Sequence, residues 1–291
     1  MSKIAYLRKS AALQFTRSRF NCPNCGSVKS SIVEWKYLIT QLRRCENCKL
    51  MFRTPIDDPS DNQSFYENEY AQGFTTDVPS DVDLASLIQT NFTFTEKDYS
   101  YYISVLRQIG LGAGAKVFDY GCSWGYGSYQ MAKAEFEVIS FEVAPSRRRY
   151  AREKLGVNTV ASMDEAVNRY AGQFDCFFSS HVIEHVPSPT QTFRCALQLL
   201  KLNGLFVSFT PNGCLEYKAK SPEWSKLWGE VHPNFIDGIF LDHNFHRSPR
   251  TLGSTPVMNA QIGDDLQMKR LNGLDGFELF FAARKIGDSW D

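Results

Sequence analysis

A short apolar segment followed directly by a glycine-rich loop constrains the fold of this chain more than any other feature. The segment Lys116–Tyr120 has the length of a buried strand, and the loop behind it contains Gly121, Gly125 and Gly127. Residues 127–134 then have the composition of a helix. A strand, a tight loop and a helix in this order are typical of βαβ units, which build sheets of parallel strands.

The same alternation of strand and helix patterns continues along the chain. Further strands are expected at 136–142, 158–161, 174–180, 204–212 and 277–285, and further helices at 145–156 and 192–204. The sequence therefore predicts an α/β protein with a Rossmann-like, doubly wound, mostly parallel sheet and an antiparallel last strand. Ligands of such sheets bind at the carboxyl ends of the strands.

Four of the eight cysteines form two Cys-x-x-Cys pairs near the amino terminus, which are Cys22, Cys25, Cys45 and Cys48. Two such pairs place four thiolates at the corners of a tetrahedron, the geometry that Zn²⁺ prefers. The segment between them is rich in β-branched and aromatic residues, as short strands require. The pattern predicts a small amino-terminal zinc ribbon with a structural zinc ion. Two disulfides are the alternative, which a reducing compartment disfavours.

Composition and charge exclude some classes of protein. The chain has 291 residues, of which 43% are hydrophobic, so it can bury a sizeable core. No apolar run approaches the ~18 residues of a membrane span, and residues 1–20 do not resemble a signal peptide. A soluble, cytoplasmic protein with no membrane partner is therefore expected.

The distribution of charge is uneven although the net charge is zero. Residues 1–53 contain eleven Lys or Arg against two acids, whereas residues 54–110 contain ten acids against two basic residues. The basic segment either faces an anionic partner such as nucleic acid or packs against the acidic segment. The sequence leaves both alternatives open.

The loop after the first strand separates two classes of nucleotide cofactor. A dinucleotide fingerprint that starts at Gly121 needs glycine at two positions that Ser123 and Tyr126 occupy. Asp119 two residues before Gly121, with Gly125 four residues after it, instead resembles motif I of class I S-adenosylmethionine-dependent methyltransferases. In that family the middle position, here Ser123, is usually glycine. Because the dinucleotide fingerprint fails at two positions, a nicotinamide dehydrogenase is disfavoured.

Two further segments are similar to the same family. FDCFFSSHVIEHVPSP at 174–189 resembles its motif IV, and LLKLNGLFVSFTPNG at 199–213 resembles the turn and strand that follow. Glu142 ends the second strand, where a carboxylate accepts ribose hydroxyls. The resemblance implies S-adenosylmethionine as cofactor. The residues implied to bind it are Asp119, Gly121, Cys122, Ser123, Gly125, Glu142, Val143, Met163, Ser180 and Tyr70.

The front of the chain resembles a narrower group within that family. A zinc ribbon followed by FYENEY at 65–70 is similar to bacterial methyltransferases that act on sugars and glycans. In those relatives a tyrosine-bearing helix covers the cofactor, which makes Tyr66 and Tyr70 lid candidates. The chain is accordingly divided into a basic segment 1–20, a zinc ribbon 21–56, a helical lid or linker 57–110, and a methyltransferase domain 111–291. The last contains a substrate-side insertion at 214–256.

Candidate catalytic residues come from the histidines, which all lie between residues 181 and 246. Methyl transfer needs in-line alignment and, for a weak nucleophile, a base. His181 ends the third clear strand, where substrates of the family meet the methyl group; a buried structural histidine is the alternative. His185 and His232 are further candidates. The pair Asp242 and His243 resembles the acid and histidine that act as general base in sugar C-methyltransferases.

The sequence thus predicts methyl transfer from S-adenosylmethionine to a small molecule, at an oxygen or carbon of a sugar or glycan. Two alternatives stay open. One is an RNA methyltransferase whose basic ribbon grips phosphate, and the other is a non-catalytic scaffold that binds the cofactor without turnover. Trp224, Trp228 and Phe235 either stack on the acceptor or form the core of the insertion.

Overall fold

The computed structural model describes residues 3–57, 77–256, 269–270 and 273–290. The strands, in chain order, are β1 (Ser30–Lys36), β2 (Thr40–Cys45), β3 (Met51–Thr54), β4 (Lys116–Tyr120), β5 (Glu137–Phe141), β6 (Thr159–Val160), β7 (Phe174–Ser180), β8 (Leu200–Pro211), β9 (Asn234–Phe235), β10 (Arg250–Ser254), β11 (Lys269–Arg270) and β12 (Glu278–Arg284).

Most of the helices follow residue 120, where they alternate with the strands of the larger sheet. They are α1 (Lys3–Leu13), α2 (Asp81–Gln89), α3 (Ser100–Gln108), α4 (Tyr126–Lys133), α5 (Pro145–Leu155), α6 (Met163–Tyr170), α7 (Pro189–Leu199), α8 (Leu215–Lys220) and α9 (Gly238–Asn244). Short 3₁₀ helices lie at Arg17–Phe20 and Pro222–Lys226. The segment 58–76, which contains both lid candidates Tyr66 and Tyr70, lies outside the described residues.

The larger sheet has eight strands in the order β11-β10-β12-β8-β7-β4-β5-β6. Strands β4 to β8 pair in parallel, and β12 pairs antiparallel with β8. The order of strands switches at β4, with β5 and β6 on one side of it and β7 and β8 on the other. Because these strands are parallel, the carboxyl ends of β4, β5 and β7 meet at one edge of the sheet. The predicted Rossmann-like, mostly parallel sheet with an antiparallel last strand is confirmed.

Helices cover both faces of this sheet, so both faces are buried. Neighbouring residues of each central strand point to opposite faces and enter different clusters. Phe177 and Phe206 pack into the cluster that contains α7, while Phe178 and Val207 pack into the cluster that contains α3 and α4. All four side chains are fully buried. Near-continuous apolar strands such as 174–180 are the sequence signature of this arrangement.

Two boundaries differ from the sequence-based expectation. The helix expected over 192–204 ends at Leu199, and β8 begins at Leu200, because Leu200 already pairs with Phe174 across the sheet. The strand β10 lies inside the predicted insertion 214–256 and pairs antiparallel with β12. Part of that segment therefore extends the sheet.

The smaller sheet joins the cysteine-rich front of the chain to the segment after β8. Its order is β1-β2-β3-β9, and Met51 and Phe52 of β3 pair with β9. Trp224, Trp228 and Phe235 are at most 1% exposed and form one cluster with Leu42 and Met51 of the front segment. These aromatic residues are therefore core residues, and the alternative that they stack on an acceptor is wrong.

Within the described ranges, no helix combines the length and apolar character needed to cross a membrane.

Candidate active site

The loop after β4 owes its path to residues with positive φ. Gly121 and Gly125 have φ of +85° and +92°, and Ser123 between them has φ of +52°. A Cβ atom on Gly121 would lie 2.5 Å from the side chain of Val182, and one on Gly125 would lie 2.8 Å from Ala151. Glycine is therefore required at both positions, by conformation and by close packing. Ser123 adopts the left-handed region without that freedom.

Glu142 follows β5 and lies directly beside this loop. Its carboxylate accepts hydrogen bonds from the backbone N–H of Ser123 at 3.0 Å and of Ala144 at 2.7 Å. The residue is 5% exposed, and burial raises the pKa of its carboxyl group. Arg147 lies 3.9 Å away and opposes that shift. The carboxylate thus fixes the loop at the edge where β4 and β5 end.

Asp119 is buried beneath the loop. It accepts a hydrogen bond from the hydroxyl of Ser128 at 2.5 Å, and Ser128 in turn accepts one from Ser140 at 2.9 Å. Burial raises the pKa of Asp119 to about 7, against the lowering effect of Ser128. Asp119 thus connects β4 to the first turn of α4, and it orients the loop from below.

His181 follows β7 and lies between two carboxylates. Its Nε2 is 2.7 Å from Glu278 Oε1, and its Nδ1 is 3.6 Å from Glu184 Oε1. Burial alone would lower the pKa of the ring, but Glu184 and Glu278 outweigh it and raise the pKa to about 10. The backbone of His181 has φ of +54°, and its N–H donates to the carbonyl of Phe209. The two carboxylates therefore fix the His181 ring in place and favour its protonated form at neutral pH.

Two further histidines pack against the turn that follows. Glu184 Oε1, His185 and His232 bring their polar atoms within 4.8 Å of one another. The Nδ1 atoms of His185 and His232 each lie 2.7 Å from a backbone carbonyl, of Val231 and Leu227 respectively. A carbonyl can only accept, so both Nδ1 atoms carry a proton.

Burial and charged neighbours act in opposite directions on the ionisable groups of this turn. Burial lowers the pKa of His185 to about 4, so that ring is neutral at physiological pH. Burial would raise the pKa of Glu184, but the neighbouring imidazoles lower it to about 2. Glu184 is 1% exposed, and its second oxygen accepts from the hydroxyl of Thr210 at 3.0 Å. The turn after β7 thus contains a fixed negative charge next to His181.

The pair Asp242 and His243 lies on helix α9. Asp242 accepts from the guanidinium of Arg250 at 2.7 Å. His243 is exposed. The side chain of Asp242 is thus engaged by a cation of β10, and its use as an orienting group for His243 stays a prediction.

The four front cysteines converge as the spacing predicts. Cys22 and Cys48 have their sulfur atoms 3.6 Å apart, as do Cys25 and Cys45, and all four sulfurs lie within 4.8 Å of one another. In a tetrahedral site with Zn–S bonds of about 2.3 Å, neighbouring sulfurs are separated by about 3.8 Å. The arrangement fits a closed, four-thiolate zinc site, with no position left for water.

The cysteine-rich front is connected to the turn after β7 by polar contacts. Asn24, inside the first cysteine pair, accepts from the backbone N–H and the hydroxyl of Thr190 at 3.0 and 2.7 Å. Asn234 of β9 donates to the carbonyls of Glu184 and Val186, through its backbone and its side chain. The middle of the turn and the start of helix α7 are therefore held by the ribbon or by the strand that pairs with it.

Comparison with known proteins identifies the family. A family model described as a methyltransferase domain matches residues 94–253, which is more than half of the chain. The chain belongs to this methyltransferase family.

Relatives and solved structures are similar to parts of this methyltransferase domain. The ubiquinone biosynthesis O-methyltransferase of Xanthomonas axonopodis pv. citri is 37% identical over 103 residues, which are 33% of this chain and 43% of that protein. The enzyme of the same name from Xanthomonas euvesicatoria pv. vesicatoria is 36% identical over 114 residues, 37% of this chain and 46% of that one. The chain thus spans less than half the length of these curated relatives.

Among solved structures, phosphoethanolamine N-methyltransferase 2 of Haemonchus contortus, in complex with S-adenosyl-L-methionine, has a TM-score of 0.50 at 13% identity. That match covers 81% of this chain and 62% of the other. The plantazolicin methyltransferase BpumL also has a TM-score of 0.50, at 11% identity, covering 78% of this chain and 96% of its own. At these identities the likeness shows the fold of the methyltransferase domain and nothing finer.

Several predicted cofactor residues of the methyltransferase domain meet at one edge. The loop 119–125 and Glu142 are in direct contact, and Cys122 is buried within that loop. Val143 follows Glu142, and its carbonyl accepts from Arg148. Ser180 ends β7, and Met163 begins α6 at the end of β6. Tyr70 lies outside the described residues.

Two residues of the site carry no signal in the sequence. Glu278 is 97 residues from His181 and 176 residues from Tyr102 in the chain, and its Oε1 lies 2.7 Å from His181 Nε2 and accepts the phenolic O–H of Tyr102 at 2.8 Å. Glu278 opens the apolar strand β12, where a lone acid at a strand end is indistinguishable from a solvated one. The one usable signal is the prediction that the last strand is antiparallel, because its first residue then lies at the edge where the parallel strands end.

Proposed function

We propose that this chain transfers the methyl group of S-adenosylmethionine to an acceptor bound beside the end of β7. One observation carries the proposal, which is the contact between the positive-φ loop 121–125 and the buried carboxylate of Glu142. A carboxylate has four lone-pair positions, and Glu142 uses two of them for backbone N–H groups. The others are available for ribose hydroxyls at the end of β5.

The loop also contains a polar atom that lacks a partner. The hydroxyl of Ser123 is buried and makes no hydrogen bond within the part of the chain that the structure describes. Buried hydroxyls are normally satisfied, and the amino-acid end of the cofactor offers both donors and acceptors. We assign cofactor binding to Asp119, Gly121, Cys122, Ser123, Gly125, Glu142, Val143, Met163 and Ser180, with Tyr70 as a further candidate.

The reaction needs a methyl donor, an aligned acceptor and a destination for one proton. When bound, S-adenosylmethionine supplies the methyl group, and its sulfur keeps the electron pair of the broken S–C bond. The acceptor atom forms the new bond to carbon and releases its proton to water, because His181 is already protonated and can orient the acceptor but cannot take this proton. We assign the acceptor side to the residues around the end of β7, with His181 first, then His185 and His232. The pair Asp242 and His243 of helix α9 is the last candidate.

The acceptor is proposed to be a small molecule. The resemblance of the cysteine-rich front to sugar and glycan methyltransferases supports a sugar or glycan oxygen or carbon. The similarity of a third of the chain to proteins named ubiquinone biosynthesis O-methyltransferase supports an aromatic hydroxyl as the second candidate.

We propose that the ribbon has a structural zinc and does not grip RNA. Several of its cations are already engaged within the chain. Arg44 pairs with Asp237 at 2.6 Å, Arg53 pairs with Asp57, and Lys36 lies 4.2 Å above the ring of Trp228. Side chains held in this way are not available for phosphate contacts, which does not favour an RNA substrate.

The test begins with calorimetric titration of zinc-replete protein with S-adenosylmethionine, S-adenosylhomocysteine and NAD. We expect the first two to bind and NAD not to bind. Binding of NAD alone would overturn the assignment. Transfer of tritium from methyl-labelled cofactor is then measured with UDP-glucose, with 3,4-dihydroxybenzoate and with total RNA. Labelling of RNA alone would replace the small-molecule acceptor, and cofactor binding without labelling of any probe would favour the non-catalytic scaffold.

A further inference from the structure

We propose that Glu278 is a positioning residue for methyl transfer, which orients the imidazolium of His181 towards the acceptor side of the cofactor edge. The inference rests on the proposed function and adds to it a residue from the last strand of the sheet.

The carboxylate of Glu278 is placed by the sheet itself. Glu278 opens β12 and pairs with Pro211, the last residue of β8. Since β12 runs antiparallel, its first residue lies at the same edge as the carboxyl ends of β7 and β8. An acid at the start of an antiparallel last strand therefore reaches the same site as residues at the ends of the parallel strands. The side chain is only 9% exposed.

A second donor fixes the carboxylate. Tyr102 of α3 donates its phenolic O–H to Glu278 Oε1 at 2.8 Å, the same oxygen that lies 2.7 Å from His181 Nε2. The ring of Tyr102 packs 4.6 Å from Phe209 and 5.0 Å from Tyr99, centroid to centroid. Tyr102 is thus rigidly held, and it leaves Glu278 little freedom to turn away from His181.

His181 depends on such support. Its positive φ is uncommon for a residue with a side chain, and such conformations persist where the surroundings determine them. Both ring nitrogens face a carboxylate, Nε2 that of Glu278 and Nδ1 that of Glu184 at 3.6 Å. The ring is nevertheless 39% exposed, so one face remains accessible to an acceptor. This combination of a fixed ring and an open face is what a positioned group needs.

The two carboxylates have different roles. Glu184 is 1% exposed and also bonds Thr210, so it belongs to the buried turn. Glu278 makes the shorter contact with His181. The charged and titratable groups that face the His181 ring from the described elements are Glu184 of the turn, Glu278 of β12 and Tyr102 of α3, with His185 on the far side of Glu184. Of the two anions, Glu278 is the one that can be neutralised without disturbing the turn.

The experiment compares Glu278→Gln with Glu137→Gln, each followed by NMR titration of histidine-labelled, zinc-replete protein. Glu137 is the matched control because it also opens a strand, β5, but is 63% exposed and pairs only weakly with Lys116. The His181 signal is assigned by its loss in His181→Gln. We expect the pH of half-titration of His181 to fall by at least one unit in Glu278→Gln and to stay unchanged in Glu137→Gln. Tyr102→Phe removes a hydrogen bond to Glu278 but leaves the carboxylate in place, so it should change the half-titration pH of His181 by less than Glu278→Gln does.

A role in positioning also predicts a kinetic difference. With any probe that the wild type methylates, Glu278→Gln should lower kcat tenfold or more while the KM for S-adenosylmethionine stays within threefold. An unchanged titration of His181 in Glu278→Gln overturns the inference, and so does an unchanged kcat. Failure of the proposed function is seen separately, as a wild type that binds no S-adenosylmethionine although the half-titration pH of His181 still falls in Glu278→Gln.

Discussion

At the scale of single residues, the proposed cofactor site depends most on Glu142. We expect Glu142→Gln to weaken binding of S-adenosylmethionine by about 10-fold to 100-fold, because hydrogen bonds to a charged group contribute about 1.5–3 kcal/mol. Calorimetric titration measures the change. Glu153→Gln, an exposed residue of the neighbouring helix α5, is the control and should bind as the wild type does. Equal affinity of the two variants would remove Glu142 from the site.

The residues of this site differ in how far the sequence reveals them. The loop from Asp119 to Gly125 is local, so its glycine spacing and the preceding strand predict its conformation directly. Glu142 is likewise found by its place at the end of the next strand. Glu278 reaches His181 through the order of strands, and Tyr102 reaches Glu278 through the packing of α3, neither of which a local pattern encodes. The sequence therefore reveals the cofactor side of the site and misses the support of its acceptor side.

At the scale of elements, helix α7 obtains part of its amino-terminal cap from a distant segment. The side chain of Ser188, which precedes this helix, accepts no hydrogen bond from a backbone N–H of the first turn. The side chain of Asn24, inside the first cysteine pair, accepts one from the backbone N–H of Thr190 instead. Replacing a capping residue with alanine costs about 0.5–2 kcal/mol. We expect Asn24→Ala to lower the free energy of unfolding of the zinc-replete protein by about that amount, measured by urea denaturation.

The chain provides a matched control for this variant. Asn47 has the same place in the second cysteine pair but is exposed. Asn47→Ala is expected to change the stability by less than ~0.5 kcal/mol, as most surface substitutions do. If the two variants were equally destabilised, the loss would come from the cysteine pairs themselves and not from the cap of α7.

Element boundaries show where local signals are overridden. Strand β4 and the end of α5 at Gly156 lie where the sequence places them, because a strand next to a glycine and a left-handed glycine at a helix end are local features. The end of α7 is displaced since Leu200 pairs with Phe174 in the sheet. Strand β10 is missed altogether, because the segment around it lacks helix or strand periodicity. It is a strand through its pairing with β11 and β12, which follow it in the chain.

At the scale of the whole molecule, the cysteine-rich front is joined to the proposed acceptor side of the methyltransferase domain. Strand β3 pairs with β9, Arg44 pairs with Asp237 at the start of α9, and Asn234 holds the carbonyls of the turn after β7. The sequence predicts the four-thiolate site from its spacing. It does not predict that the ribbon supports this turn, because that depends on a two-residue strand, Asn234–Phe235, too short to recognise.

This arrangement predicts that loss of zinc affects the two sides of the active site unequally. Cys25→Ser removes the exposed ligand of the four and should reduce the bound zinc well below one ion per chain, measured by elemental analysis. Without the metal, β3 and β9 lose their anchor and the turn from His181 to Ser188 loosens. The loop of Gly121 and Glu142 is held by β4 and β5, so affinity for S-adenosylhomocysteine should stay within about threefold while methyl transfer falls at least tenfold. Cys195→Ser, outside the cluster, should change neither. Equal loss of cofactor binding and transfer in Cys25→Ser would show that the ribbon stabilises the whole domain rather than its acceptor side.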